Sequence, residues 1–321
     1  MNAHAQEDFS TPETVEALRE RLRQLMAREG LTQAAIAKGA DIAYGTFTPW
    51  MTGKYQGDNA AIARKVERWL TAREEDRKIG MALLKEPGFV ETPTALEVLA
   101  GLQWAMSMPG ITVVTLGPGM GKTSAAREFE RRTPHAYRVV MRPSTGSVHS
   151  MVHEIAQRLA VPERNPSRIV RAIGEKVQRN GRHTLIMLDE AQNLGDKAVD
   201  ELRHLLDEFG CGIALLGNED VMTRWGRSTP KEGYGQLHRR IGHRVRRLSA
   251  RPEDIETYLA AWGITDEAVL KLLRTIGKKP GALGQIAETI KFASLIAAGE
   301  QRPLTATDVE HAWRNRSEEA R

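Results

Sequence analysis

Ile111-Thr-Val-Val-Thr-Leu-Gly-Pro-Gly-Met-Gly-Lys-Thr123 is the stretch on which the reading of this chain turns. Its first six residues are apolar and β-branched, which predicts a short strand buried on both faces, as in a parallel sheet. Ser124-Ala-Ala-Arg-Glu-Phe129 then begins a helix. Between strand and helix the backbone must fold tightly around an anion. Gly117, Gly119 and Gly121 permit the angles and the close approach this needs, so the segment Gly117, Pro118, Gly119, Met120, Gly121, Lys122, Thr123 and Ser124 is a candidate phosphate cradle. Lys122 would reach the β- and γ-phosphates of ATP, and the Thr123 hydroxyl would ligate Mg²⁺. The pattern G-x-x-x-x-G-K-[ST] departs at one place, where Leu116 stands for the first glycine and Gly117 follows it.

A second apolar run, Thr184-Leu-Ile-Met-Leu-Asp-Glu190, ends in two acids. Asp189 at the strand tip is placed to hold the Mg²⁺ shell, and Glu190 to orient and polarise the attacking water. The strand Gly212 to Asn218 ends in an amide that either senses the γ-phosphate through that water or caps its own loop. The segment from Arg224 to Arg251 is rich in basic residues, Arg227, Lys231, Arg239 and Arg240 among them. DNA phosphates, a neighbouring subunit's γ-phosphate and plain solvent compete for these side chains. Arg240, then Arg239, is the preferred arginine finger, because both end a helical stretch before the expected strand from Val245 to Leu248.

With 321 residues and 41% hydrophobic composition the chain has room for two or three domains with real cores. A net charge of +5 mildly favours an acidic partner such as DNA. Cys211 is the single cysteine, which excludes a disulfide framework and a cysteine-based zinc site. No apolar run approaches the ~20 residues of a membrane span, and the N-terminus lacks a signal pattern. A soluble protein of the cytoplasm is expected.

Residues 1–10 read as disordered, followed by a capped helix with Val15, Leu18, Leu22 and Leu25 at helical spacing. Leu31 to Gly53 reads as two short helices with a tight connection, the first capped by Thr32, with Ile36, Ala37, Phe47 and Trp50 facing inward. This stretch resembles the helix-turn-helix of the λ-repressor-like family. The resemblance puts Gln33 near a phosphate, Tyr44 and Thr46 at the start of a recognition helix, and Lys54 just beyond it, as DNA contacts. Asp41 stands where the turn glycine is usual, and Pro49 lies late in the second helix. A plain helical bundle used for protein contacts is the competing reading. Thr71 to Lys78, charged on all sides, reads as a linker, and Thr94 as the cap of the next helix.

Phosphate loop, Asp-Glu strand, Asn-tipped strand and pre-strand arginines in this order resemble the AAA+ ATPases. The resemblance implies an α/β core with a parallel sheet flanked by helices over residues 83–250. It adds an N-terminal all-α domain with linker over 1–82 and a C-terminal helical lid over 251–321. Many such lids carry a sensor arginine, whereas the turn here reads Gly277-Lys-Lys-Pro-Gly-Ala-Leu283, leaving that role unfilled or to Lys278 or Lys279. With Lys54-Tyr-Gln-Gly-Asp-Asn59, Arg68-Trp-Leu70, Phe89-Val-Glu-Thr92 and Lys279-Pro-Gly-Ala-Leu283, nearly the whole chain is similar to the phage Mu transposition protein B family. That likeness implies an ATPase that binds duplex DNA with little sequence preference. It further implies assembly into a helical filament and delivery of target DNA to a transposase. A nucleotide-regulated transcription regulator and an AAA+ helicase loader are the alternatives.

Overall fold

The computed structural model describes residues 9, 11–82, 84–181, 183–226 and 235–316. The chain divides into two compact units, Met1–Leu83 and Leu84–Arg321.

The first unit holds α1 (Pro12–Glu29), α2 (Gln33–Gly39), α3 (Tyr44–Met51) and α4 (Asn59–Ala82). Helix α1 starts where the Thr11 side chain accepts from the Thr14 N–H and Pro12 takes the first turn. It ends at Gly30 in the left-handed conformation. Leu22, Ile36, Phe47, Trp50 and Val66 are fully buried and form its core, which also takes in Phe9. Phe47 and Trp50 are therefore core residues rather than base-stacking ones. Between α2 and α3, Asp41 adopts φ +52°, the left-handed turn for which glycine is the usual choice.

Residues 71–82 correct the expected linker, because α4 runs through them without a break. Three of their charges pair with α1: Glu74 with Arg21, and Arg73 and Arg77 with Glu29. Of the stretch expected to be disordered, residues 1–8 and 10 lie outside the described residues.

The second unit opens with α5 (Pro93–Ser107), and β1 (Ile111–Leu116), α6 (Lys122–Arg132) and β2 (Ala136–Val140) follow. Then come α7 (Val148–Arg158), α8 (Ile169–Asn180), β3 (Leu185–Asp189), α9 (Asp196–Phe209) and β4 (Gly212–Gly217). After a short α10 (Glu219–Val221), α11 (Gly235–Arg240) leads into β5 (Ile241–Arg247), four residues earlier than the strand expected at Val245. The sheet is parallel with order β2-β3-β4-β1-β5. Alternation across the strands builds two cores. Ile111, Val113, Ile213 and Leu215 face α7, α8 and α9. Val114, Leu116, Ala214 and Leu216 face α5 and α6. Helix α8 has no counterpart in the sequence reading.

Helices α12 (Pro252–Ala261), α13 (Glu267–Gly277), α14 (Ala282–Gly299) and α15 (Ala306–Arg316) share the last core, around Leu259, Leu273, Ile286 and Ile290. A buried carboxylate ties them to the sheet layers: Asp254 accepts from the Thr94 N–H at 2.8 Å and the Thr94 hydroxyl at 2.6 Å. This corrects the expected cap of α5. With Pro93 in the first turn the capping position falls to Thr92, whose hydroxyl accepts from the Ala95 N–H, and Thr94 is left to bond the lid. No helix among the described residues is long and apolar enough to cross a membrane.

Candidate nucleotide site

The loop after β1 is shaped by three glycines with different tasks. A side chain on Gly117 would meet the Leu248 carbonyl oxygen at 2.3 Å, since the Gly117 N–H donates to the Arg247 carbonyl at 2.8 Å. That contact explains the one-residue shift in the motif. Leu116 completes the strand, buried in the core with α5 and α6, and glycine is needed only where the chain passes β5. Gly119 and Gly121 have φ of +69° and +82°. Gly121 is also the N-cap of α6, and no side chain satisfies the first-turn N–H groups of that helix. Free amide donors at the positive end of a helix dipole suit a phosphate.

These residues open onto a cavity of about 940 Å³. Gly117, Pro118, Gly119, Met120, Gly121, Lys122, Thr123 and Ser124 all line it, together with Glu190 and Asn218. The segment Glu86 to Val90 and the lid residues Tyr258, Leu283 and Gly284 close the other sides. Lys122 Nζ lies 3.8 Å from Glu190 Oε1, with the lysine side chain 14% exposed. Glu190 holds φ +58° just past β3, an uncommon backbone for a non-glycine residue, and its other oxygen accepts from Gln192 Nε2. Asn218 accepts from the Asp220 N–H at 3.0 Å and so caps α10 while facing the cavity. The loop-capping reading of that asparagine thus holds.

Asp189 is 1% exposed and does not line the cavity. Its carboxylate accepts from Arg138 Nη1 at 2.9 Å and from the Glu190 N–H at 3.1 Å. Thr123 in the first turn of α6 and Asp189 at the tip of β3 are both oxygen donors, the type Mg²⁺ takes, and a bound nucleotide would complete such a shell. No group of three or more histidine, cysteine or acidic residues that could hold a metal ion occurs among the described residues.

The lid reaches the loop through backbone. The Gly284 N–H donates to the Gly119 carbonyl at 2.9 Å, and a methyl group on Gly119 would meet the Gly281 carbonyl oxygen. Neither lysine considered for a sensor role lines the cavity: Lys278 caps α13, and Lys279 lies over the Trp313 ring.

Most of the described arginines in the basic segment are engaged within the unit. Arg224 pairs with Asp196, Arg246 with Glu219, and Arg247 and Arg251 with Glu97. Arg240, the preferred finger, pairs with Asp207 at 2.7 Å. Arg239 is exposed, with no ion-pair partner among the described residues. Arg227 and Lys231 lie outside the described residues. In the first unit Tyr44 is 57% exposed, Lys54 is exposed, and Gln33 and Thr46 are half-buried.

Family models match two parts of the chain: an AAA domain over residues 106–224, and the C-terminal part of Mu B transposition protein over residues 239–315. The ATP-dependent target DNA activator B of Escherichia phage Mu is 30% identical over 92% of this chain and 94% of its own length. This chain belongs to the Mu B transposition protein family. Another member, the Mu-like prophage FluMu DNA transposition protein B of Haemophilus influenzae, is 28% identical over 84% of this chain and 93% of its own. Among solved structures, Cdc6p from Pyrobaculum aerophilum has a TM-score of 0.54 at 15% identity, covering 72% of this chain and 69% of its own, a likeness of fold alone. The sheet order and site therefore belong to an AAA+ ATPase within the family.

Proposed function

We propose that this protein is an ATP-dependent, largely sequence-nonspecific DNA-binding ATPase that assembles as a filament on target DNA and hands that DNA to a transposase. The convergence of Lys122, Glu190, Asn218 and the lid residue Gly284 on one glycine-cradled cavity carries the reading. Lys122 neutralises the β- and γ-phosphates, and the free N–H groups of α6 orient them. Glu190, steadied by Gln192, polarises and aligns water for in-line attack, and Asn218 stands across the same cavity. Thr123 and Asp189 would hold Mg²⁺, which spreads charge from the transferring phosphoryl group. Arg239 is the better candidate for a finger acting on a neighbour's nucleotide, because Arg240 already has an anion.

The helix-turn-helix reading of α2 and α3 fits duplex binding without base readout. From Tyr44 to Met51 there is no arginine, lysine, asparagine or glutamine to make a bidentate contact with a base edge. A transcription regulator that selects one operator is disfavoured on that ground. Binding would then be carried by phosphate contacts and fall steeply with salt. The site of action is the cytoplasm of a bacterial host.

The test is electron microscopy of the protein with random-sequence duplex, with and without ATP. ATP-dependent filaments are expected. Binding confined to one sequence, or assembly indifferent to ATP, would overturn the proposal.

A further inference from the structure

The Asp189 carboxylate is already held by a cation of its own chain. Arg138 on β2 donates Nη1 to Asp189 Oδ2 at 2.9 Å, and the arginine side chain is 16% exposed. The Nε of that guanidinium is buried with no hydrogen-bond partner among the described residues. Such a group is costly to bury, so charge rather than a full set of hydrogen bonds holds it there. The backbone of Arg138 is fixed by contrast. Its N–H donates to Glu130 at 2.6 Å and its carbonyl accepts from Arg158 Nε at 3.1 Å. On the outer flank of β2 a cavity of about 320 Å³ is bounded by Arg138, Arg142, Glu154, Gln157 and Arg158. Arg138 thus borders open space that contains another carboxylate, Glu154, beside Arg142 and Arg158.

We propose that Arg138 is a positioning residue, the resident counter-ion of Asp189, and that Mg²⁺ arriving with nucleotide displaces it toward the Glu154 side of β2. The proposal rests on the reading that Thr123 and Asp189 hold Mg²⁺. Two cations on one buried carboxylate repel each other, and the divalent one bound to phosphate wins. Arg138 then sets how much Mg²⁺ the site requires. Its exchange also makes metal occupancy visible at the β2 edge, away from the nucleotide cavity.

The measurement is the Mg²⁺ midpoint for binding a fluorescent, non-hydrolysable ATP analogue to the full chain, with melting temperature recorded in parallel. Arg138→Gln removes the competing charge and is expected to lower the midpoint by roughly three- to tenfold, while affinity in EDTA stays as in wild type. Arg138→Lys keeps the charge without the guanidinium fork and is expected to lie between the two. A purely structural arginine would lower the melting temperature and leave the midpoint in place, and that result overturns the proposal. Should Arg138→Gln fail to fold, a wild-type midpoint in Arg138→Lys overturns it equally. Wild-type binding that is indifferent to Mg²⁺ would instead overturn the metal reading on which the proposal rests.

Discussion

A methyl group on Gly119 would sit 1.9 Å from the Gly281 carbonyl oxygen, at a residue whose φ of +69° L side chains rarely adopt. Gly119→Ala should therefore lower stability by about 1–3 kcal/mol and weaken nucleotide binding, measurable by thermal melts with and without ATP. Lys122→Ala should abolish the nucleotide-induced shift while leaving the melt without nucleotide near wild type, because the lysine's nearest charged partner is Glu190 at 3.8 Å. Glu190→Gln separates binding from turnover. It keeps the shape of the side chain and the phosphate contacts but loses the carboxylate that orients water. ATP should bind and persist, and dissociation from labelled random-sequence duplex in ATP should slow. Release as fast as wild type, with hydrolysis abolished, would show that hydrolysis is not the release step.

At the scale of elements, the pairing of α6 side chains makes a pH prediction. Arg131 first, then Arg132, hold the Glu128 carboxyl down to about 2 from an ordinary 4.5. The unfolded chain takes up that proton sooner, so this contribution is intact above about pH 4.5 and is lost as pH falls toward 2. Glu128→Gln should flatten the dependence of stability on pH across that window in denaturant melts. The junction of α5 and α12 is more demanding. Asp254→Ala would strand the buried Thr94 N–H and hydroxyl, with an expected loss of about 2–4 kcal/mol. What the sequence disclosed at this scale followed short-range pattern. Ile111 to Leu116 and Thr184 to Asp189 announce buried strands, and Gly121-Lys-Thr123 announces the junction. The Arg138 to Asp189 pair was hidden because its members are 51 residues apart in the chain. Helix α4 was misread past Leu70 for the same reason, since the α1 partners of Arg73 and Glu74 lie 44 and 53 residues away. Charge that is neutralised by a distant helix looks, in sequence, like charge left to water.

For the whole molecule, the proposed assembly would bring a residue of one copy to the site of another. Arg239→Ala should depress hydrolysis in the DNA-bound assembly more than Arg240→Ala does, with ATP affinity unchanged in both. Mixing Arg239→Ala with Glu190→Gln should recover some activity, since a mixed assembly contains composite sites with both groups intact. No recovery from co-assembled mutants would remove Arg239 from that role. The contact between lid and phosphate loop has a further bearing on the cycle. It is made by Gly119, Gly281 and Gly284 through backbone and close packing. Such a joint is indifferent to ionic strength, whereas a grip made on DNA phosphates is screened away. Raising salt should therefore uncouple the two ligands, stripping the duplex from a protein that still holds its nucleotide under a docked lid.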